Sequence, residues 1–166
     1  MKIGMRILGI DPGLVHTGWG VIETTSSANQ FLAAGVIKPK PSAPISDRLA
    51  QIHNELMAVL FEYQPDSAAI EDTFVNKNPA SALKLGMARG VAFSCPGIHK
   101  IACVQYSPNQ IKKSVVGAGH ATKDQINHMV QIILGVRQSL NEHSADALAV
   151  AITHQHHISS HKILNS

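Results

Sequence analysis

Cysteine is scarce in this sequence: Cys95 and Cys103 are the only 2. That excludes a disulfide framework, and the seven residues between them match no familiar zinc spacing. Reduced thiols in a cytoplasmic protein are the expectation. Long apolar runs are also missing. No stretch approaches the roughly 18 uncharged apolar residues of a membrane helix, and "MKIGMRILGID" offers no apolar core for a secretory signal. Neither an internal repeat nor a domain linker interrupts the chain. What is present is a 45% hydrophobic, 15% charged chain of 166 residues. Such a chain supports one folded domain with a substantial core, here spanning 1–166 with residues after about 158 expected to form a tail.

Acidic residues are absent from one long region. Between Thr73 and Asn141 the only acid is Asp124, against Lys77, Lys84, Arg89, Lys100, Lys112, Lys113, Lys123 and Arg137. Eight positive charges less one negative give +7 there; a total of +3 leaves −4 for the remainder. A basic half beside an acidic one suits a polyanion whose backbone approaches clustered carboxylates. A merely solvated basic face is the competing reading.

Hydrophobic patterning places the elements. "RILGI" reads as a buried strand ending at Asp11, and "GWGVIE" and "FLAAGVIK" as two strands close enough to be antiparallel neighbours. After the proline-rich "KPKPSAP", Leu49, Ile52, Leu56, Val59, Leu60 and Tyr63 recur at helical spacing over 45–63. "SAAIE" is a strand ending at Glu71, and Asn78-Pro79 opens a helix running to about Ser94. "IACVQY" is a further strand. Ser107-Pro108, the capping box Thr122–Gln125, and Ser139–Glu142 then start three helices. The order predicts one α/β domain with a mixed sheet, antiparallel early and parallel later.

The candidate chemistry lies at strand ends. Asp11 and Glu71 each terminate a strand, where α/β sheets collect their sites. Adjacent parallel strands would bring the two carboxylates together, a repulsion that a divalent cation such as Mg2+ relieves. A turn role for Asp11 and a solvated strand end for Glu71 are the plain alternatives. His143 and Asp146, three apart in "NEHSADALAVA", share one helix face among small and apolar residues. His143 reads as a metal ligand, a proton carrier or a satisfied core histidine. Together the four groups could form a two-metal phosphoryl-transfer site.

The segments "GIDPG" with "TGWGVIE", "IEDTFVNKNPASALKLGMARG", "QIKKSVVGAGHATKDQ" and "HSADALAVAITH", in this order, resemble the RuvC family of Holliday-junction resolvases over nearly the whole chain. The resemblance implies a ribonuclease-H-like fold with a five-stranded mixed sheet flanked by helices. It implies a homodimer with Mg2+-dependent cutting of symmetrically related strands in a four-way DNA junction. It also implies two Mg2+ per active site, Mn2+ as a substitute, and work beside the RuvA–RuvB branch-migration complex. The family's acidic positions fall on Asp11, Glu71 and Asp146. His143 stands where aspartate is frequent, leaving its direct liganding role open. Phe74 matches an aromatic that enters the junction, and Lys112 and Lys123 match basic positions near the scissile DNA.

Lys77, near Phe74, is a candidate phosphate contact, and Arg89 a weaker one. Gly86 and Gly90 have the small-x-x-x-small spacing of a close helix contact. From the residues alone, that contact is either the chain's own sheet or a second copy; the resemblance favours the dimer interface. "HQHHISSH" reads as a helix end and tail, and Trp19 as core. Two other functions stay open: a nucleotide-binding ATPase or kinase of the same broad fold, with "DPGLVHTGWG" facing phosphates, and a noncatalytic junction-binding protein.

Overall fold

A computed structural model describes residues 4–72 and 78–164. Strands β1 (Met5–Asp11), β2 (Thr17–Thr24) and β3 (Asn29–Ile37) are followed by α1 (Ile45–Tyr63) and β4 (Ser67–Glu71). Then come α2 (Pro79–Ile98), β5 (Cys103–Tyr106), α3 (Pro108–Val116), α4 (Lys123–Leu134) and α5 (Glu142–Leu164). The sheet order is β3-β2-β1-β4-β5. β2 pairs antiparallel with both β1 and β3, while β4 pairs parallel with β1 and β5. This is the expected mixed sheet, and the crossovers through α1 and α2 supply the length that parallel neighbours need.

Alternation along the strands splits the core into two layers. Leu8, Ile10, Val21, Ala68 and Ile70 pack with Ile52, Leu56 and Leu60 of α1 and with Ala88, Ala92 and Cys95 of α2. Ile7, Ile22 and Ala69 face the opposite layer, where Leu148 and Ile152 of α5 meet Ile111 of α3 and Val130 of α4. Ala145 and residues 147–152 of α5 are all buried, because this helix is covered by the sheet on one side and by α3 and α4 on the other. Among the described residues no helix is long and apolar enough to cross a membrane.

The helix starts follow local chemistry. Asn78 accepts from the backbone N–H groups of Ala80 and Ser81, and Ser107 and Thr122 each close a reciprocal capping box with the glutamine three residues on. Three boundaries differ from expectation. The apolar contacts of Ala92 and Cys95 carry α2 past Ser94 to Ile98. The Asn141 side chain, not Ser139, accepts from a first-turn amide of α5, that of His143, at 2.9 Å. Finally, α5 continues through Leu164, so the segment beyond 158 is helical where the sequence suggests a tail. Both cysteines are free thiols. Trp19 is partly buried against the α1–α2 layer, 5.9 Å from Tyr63.

Candidate active site

Backbone register puts two carboxylates side by side. Ile10 pairs in parallel with Ile70, so the next residues, Asp11 and Glu71, leave neighbouring strands on the same face. That face belongs to α5, and three glycines let α5 come close. A methyl group at Gly9 would overlap the backbone of Ala147, one at Gly18 the carbonyl of His143, and one at Gly20 the side chain of Leu148. Gly9 pairs with Gly20 and Asp11 with Gly18 across the antiparallel ladder, so the bare patch adjoins the acidic strand end. The first turns of α5 therefore sit over Asp11.

The resulting contacts are specific. His143 Nδ1 lies 3.6 Å from Asp11 Oδ2, and its Nε2 lies 3.6 Å from Glu142 Oε1. Lys123 Nζ is 3.8 Å from both Asp146 Oδ2 and Glu142 Oε2. The imidazoles of His16 and His143 stack with centroids 4.6 Å apart.

Burial raises the proton affinity of Asp11, and the nearby Asp146 charge raises it further. Glu71 is raised in the same way, by burial first and then by Asp11 and Asp146. The two carboxyl groups lie close enough that each alters the other's proton affinity. Asp146 is raised by burial, with Lys123 pulling the other way.

Among the described residues no three His, Cys, Asp or Glu side chains are arranged to hold a metal ion. The donor chemistry nevertheless suits one. Asp11, Glu71 and Asp146 form an oxygen-only set whose crowding penalises the ionised state, and a hard divalent cation removes that penalty.

Beside these acids a cleft of about 200 Å3 is lined by Glu71, Pro108, Ile111, Lys112, Lys123, Ile126 and Asp146. Lys112 on α3 and Lys123 at the start of α4 thus reach the same opening as two of the acids. Arg89 is engaged elsewhere: it pairs with Asp72 at 3.1 Å and hydrogen-bonds Gln105, bracing the ends of β4 and β5. Gly86 and Gly90 are exposed on α2, with nothing within 4 Å of a built Cβ, beside exposed Leu83 and Met87. Their spacing does not serve packing on the chain's own sheet, which falls to Ala88, Ala92 and Cys95. Phe74 and Lys77 lie outside the described residues.

Sequence reasoning missed the glycine patch, His16 and Glu142. Gly18 and Gly20 alternate on one strand face, a legible signal; the stack of His16 on His143, 127 positions apart in the chain, left none.

A profile described as "Crossover junction endodeoxyribonuclease RuvC" matches residues 7–154. A protein of that description from Rhodopseudomonas palustris (strain BisA53) is 50% identical over 153 residues, covering 92% of this chain and 88% of the relative. One from Afipia carboxidovorans is 50% identical over 160 residues, covering 96% and 94%. Among solved structures, Thermus thermophilus RuvC in complex with Holliday junction substrate superimposes with a TM-score of 0.87 at 33% identity, covering 93% of this chain and 94% of that one. The order of the strands, the acids at their ends and these similarities agree, and the chain belongs to the RuvC family of crossover junction endodeoxyribonucleases.

Proposed function

We propose that this protein is a Mg2+-dependent, structure-selective endonuclease that resolves four-way DNA junctions by paired phosphodiester cleavages in recombination and repair. The observation that carries the reading is the placement of Asp11 and Glu71 at adjacent strand ends, with Asp146 of α5 near enough to raise the proton affinity of both and lining, with Glu71, a cleft that Lys112 and Lys123 also line, in a chain of the RuvC family.

In this reading Asp11, Glu71 and Asp146, with His143 as a further donor, would hold two Mg2+ ions. When bound, such ions activate water and neutralise charge on the scissile phosphate; Mn2+ would substitute. The protein supplies the rest. Lys112 and Lys123 draw the DNA backbone into the cleft as positive contacts at phosphate. The α4 N-terminus, capped by Thr122, adds backbone polarity of the same sign. Ile10 and Ile70 fix the spacing of the two strand-end acids. His143, whose Nδ1 lies 3.6 Å from Asp11 Oδ2, would carry a proton in this reading. Phe74 would stack on an unpaired base, Lys77 would contact phosphate, and Arg89 would act as a brace with at most a minor DNA contact.

Paired cutting requires two such sites. The exposed Leu83, Gly86, Met87 and Gly90 face of α2 is the surface on which a second copy would pack to form a homodimer. The RuvA–RuvB complex is the expected partner, through family membership.

The test is cleavage of a mobile four-way junction by purified protein with Mg2+, beside Asp11→Asn, Glu71→Gln and Asp146→Asn. Symmetrical nicks by the parent and none by the variants, at comparable junction affinity in Ca2+, are expected. Junction binding by the parent without turnover would instead make the protein a noncatalytic binder.

A further inference from the structure

We infer that His16 is a positioning residue for the cleavage reaction, holding the His143 ring in register with Asp11. The inference rests on the junction-cleavage reading above and adds a residue to it. Among the described residues, the His143 ring is joined to the site by two long polar contacts, both 3.6 Å, to Asp11 and Glu142. Neither is short enough to fix a ring that can rotate about its own side-chain bonds. The stack supplies the missing constraint: the His16 ring lies 4.6 Å from that of His143 with planes 20° apart. Covering one face of the imidazole restricts its rotation while leaving both nitrogens at the ring edge free to face the acids.

The loop carrying His16 is itself rigid. Thr17 Oγ1 donates to the Gly13 carbonyl at 2.7 Å and accepts from the Gly13 N–H at 3.2 Å, closing the turn after Asp11. Arg48 of α1 donates to the Leu14 carbonyl at 2.9 Å, tying the loop to the other layer. Gly13 is required there, because a Cβ would strike the carbonyl oxygen of His16. The His16 ring is therefore presented by one braced turn, and that same turn begins at Asp11. A single loop thus sets both the acid and the plane against which its neighbouring histidine rests.

The role is geometric, so a flat ring without nitrogens should satisfy it. The experiment compares His16→Ala and His16→Phe with the parent in single-turnover junction cleavage. Two further readouts are junction affinity in Ca2+ and the His143 ring C–H chemical shifts of the metal-free protein. His16→Ala should lower the cleavage rate about tenfold, keep junction affinity within about twofold, and move the His143 resonances as the neighbouring ring current disappears. His16→Phe should restore the rate to within about threefold of the parent. The melting temperature of each variant separates misfolding from misplacement, and the resonances report on the stack whether or not the protein cleaves. Parent-like cleavage by His16→Ala would overturn the inference. So would His16→Phe as slow as His16→Ala, which would assign the effect to the imidazole nitrogens. A parent that cuts no junction while the resonances shift as expected would instead remove the cleavage reading and leave the stack intact.

Discussion

Gly18 of β2 lies directly against the backbone carbonyl of His143 in α5, so closely that a methyl group at Gly18 would overlap that oxygen. The position that looks like a weak residue in a strand is the seat of the helix that completes the site. Gly18→Ala should push the start of α5 away from Asp11. A cost of about 1 to 3 kcal/mol is expected for such overpacking, with at least tenfold slower cleavage per folded molecule. Gly97→Ala, in a helix with nothing within 4 Å of its Cβ, is the control and should leave cleavage unchanged while stability stays the same or rises by up to about 1 kcal/mol. Urea unfolding with single-turnover kinetics checks the pair; a parent-like Gly18→Ala would show that α5 has room to spare.

Lys112→Ala and Lys123→Ala should weaken engagement of DNA without removing the acids. Each lysine lines the cleft; if each meets a phosphate there, its removal should flatten the slope of log affinity against log salt by about 1. The pairs that Lys123 makes with Asp146 and Glu142, both 3.8 Å with the lysine well exposed, contribute little to stability. Melting temperatures should therefore stay near the parent's. Filter binding over a salt series is the measurement. Unchanged slopes and unchanged cleavage in both variants would leave two solvated lysines.

Replacing both Gly86 and Gly90 by leucine should weaken self-association while preserving the protomer. Neither position has a neighbour within 4 Å for a side chain to strike, and leucine favours helix over glycine. Across a two-fold contact the same side chains would hold two copies of α2 apart. Sedimentation velocity at concentrations that saturate a junction checks this. A parent monomeric under those conditions, or a variant that dimerises as tightly, would place the interface elsewhere.

His154 predicts an acid sensitivity distinct from the active site. Its imidazole is buried between Ser67 Oγ at 2.7 Å and Tyr106 OH at 2.8 Å. Burial, helped by His157, lowers its pKa from 6.5 to about 4. Between those values the unfolded chain binds a proton that the folded protein refuses. The stability associated with neutral His154 is therefore fully present above pH 6.5 and is lost as pH falls toward 4, by up to about 3 kcal/mol. Asp11 and Glu71, raised in the folded state, act with the opposite sign, since protonation favours their folded form. Comparing the parent with His154→Gln separates the two: the difference in their urea midpoints should change between pH 6.5 and 4.5. A constant difference across that range would mean that His154 titrates normally.

The elements were legible because their signals are local. The apolar spacing over 45–63 matches α1 residue for residue, and the caps at Asn78, Ser107 and Thr122 are chosen by hydrogen bonds spanning two or three residues. Capping failed as a guide at α5, where the sequence offered Ser139 and the structure uses Asn141. The end of α5 was misjudged because polar composition near 158 says nothing about how far a helix continues.

What the sequence by itself determined was an α/β domain with acids at the ends of two strands and on a later helix. Those properties depend on which side chains alternate, recur or cap over a few residues. Only the tertiary structure decided that Asp11 and Glu71 are neighbours, since parallel register joins residues sixty positions apart through backbone bonds that any side chain permits. It alone turned Gly86 and Gly90 outward and committed Arg89 to Asp72 and Gln105. It alone seated α5 on Gly9, Gly18 and Gly20, bringing His143 beneath His16. Close approach depends on missing atoms on one surface meeting a backbone on another, and no local pattern encodes both halves of that meeting.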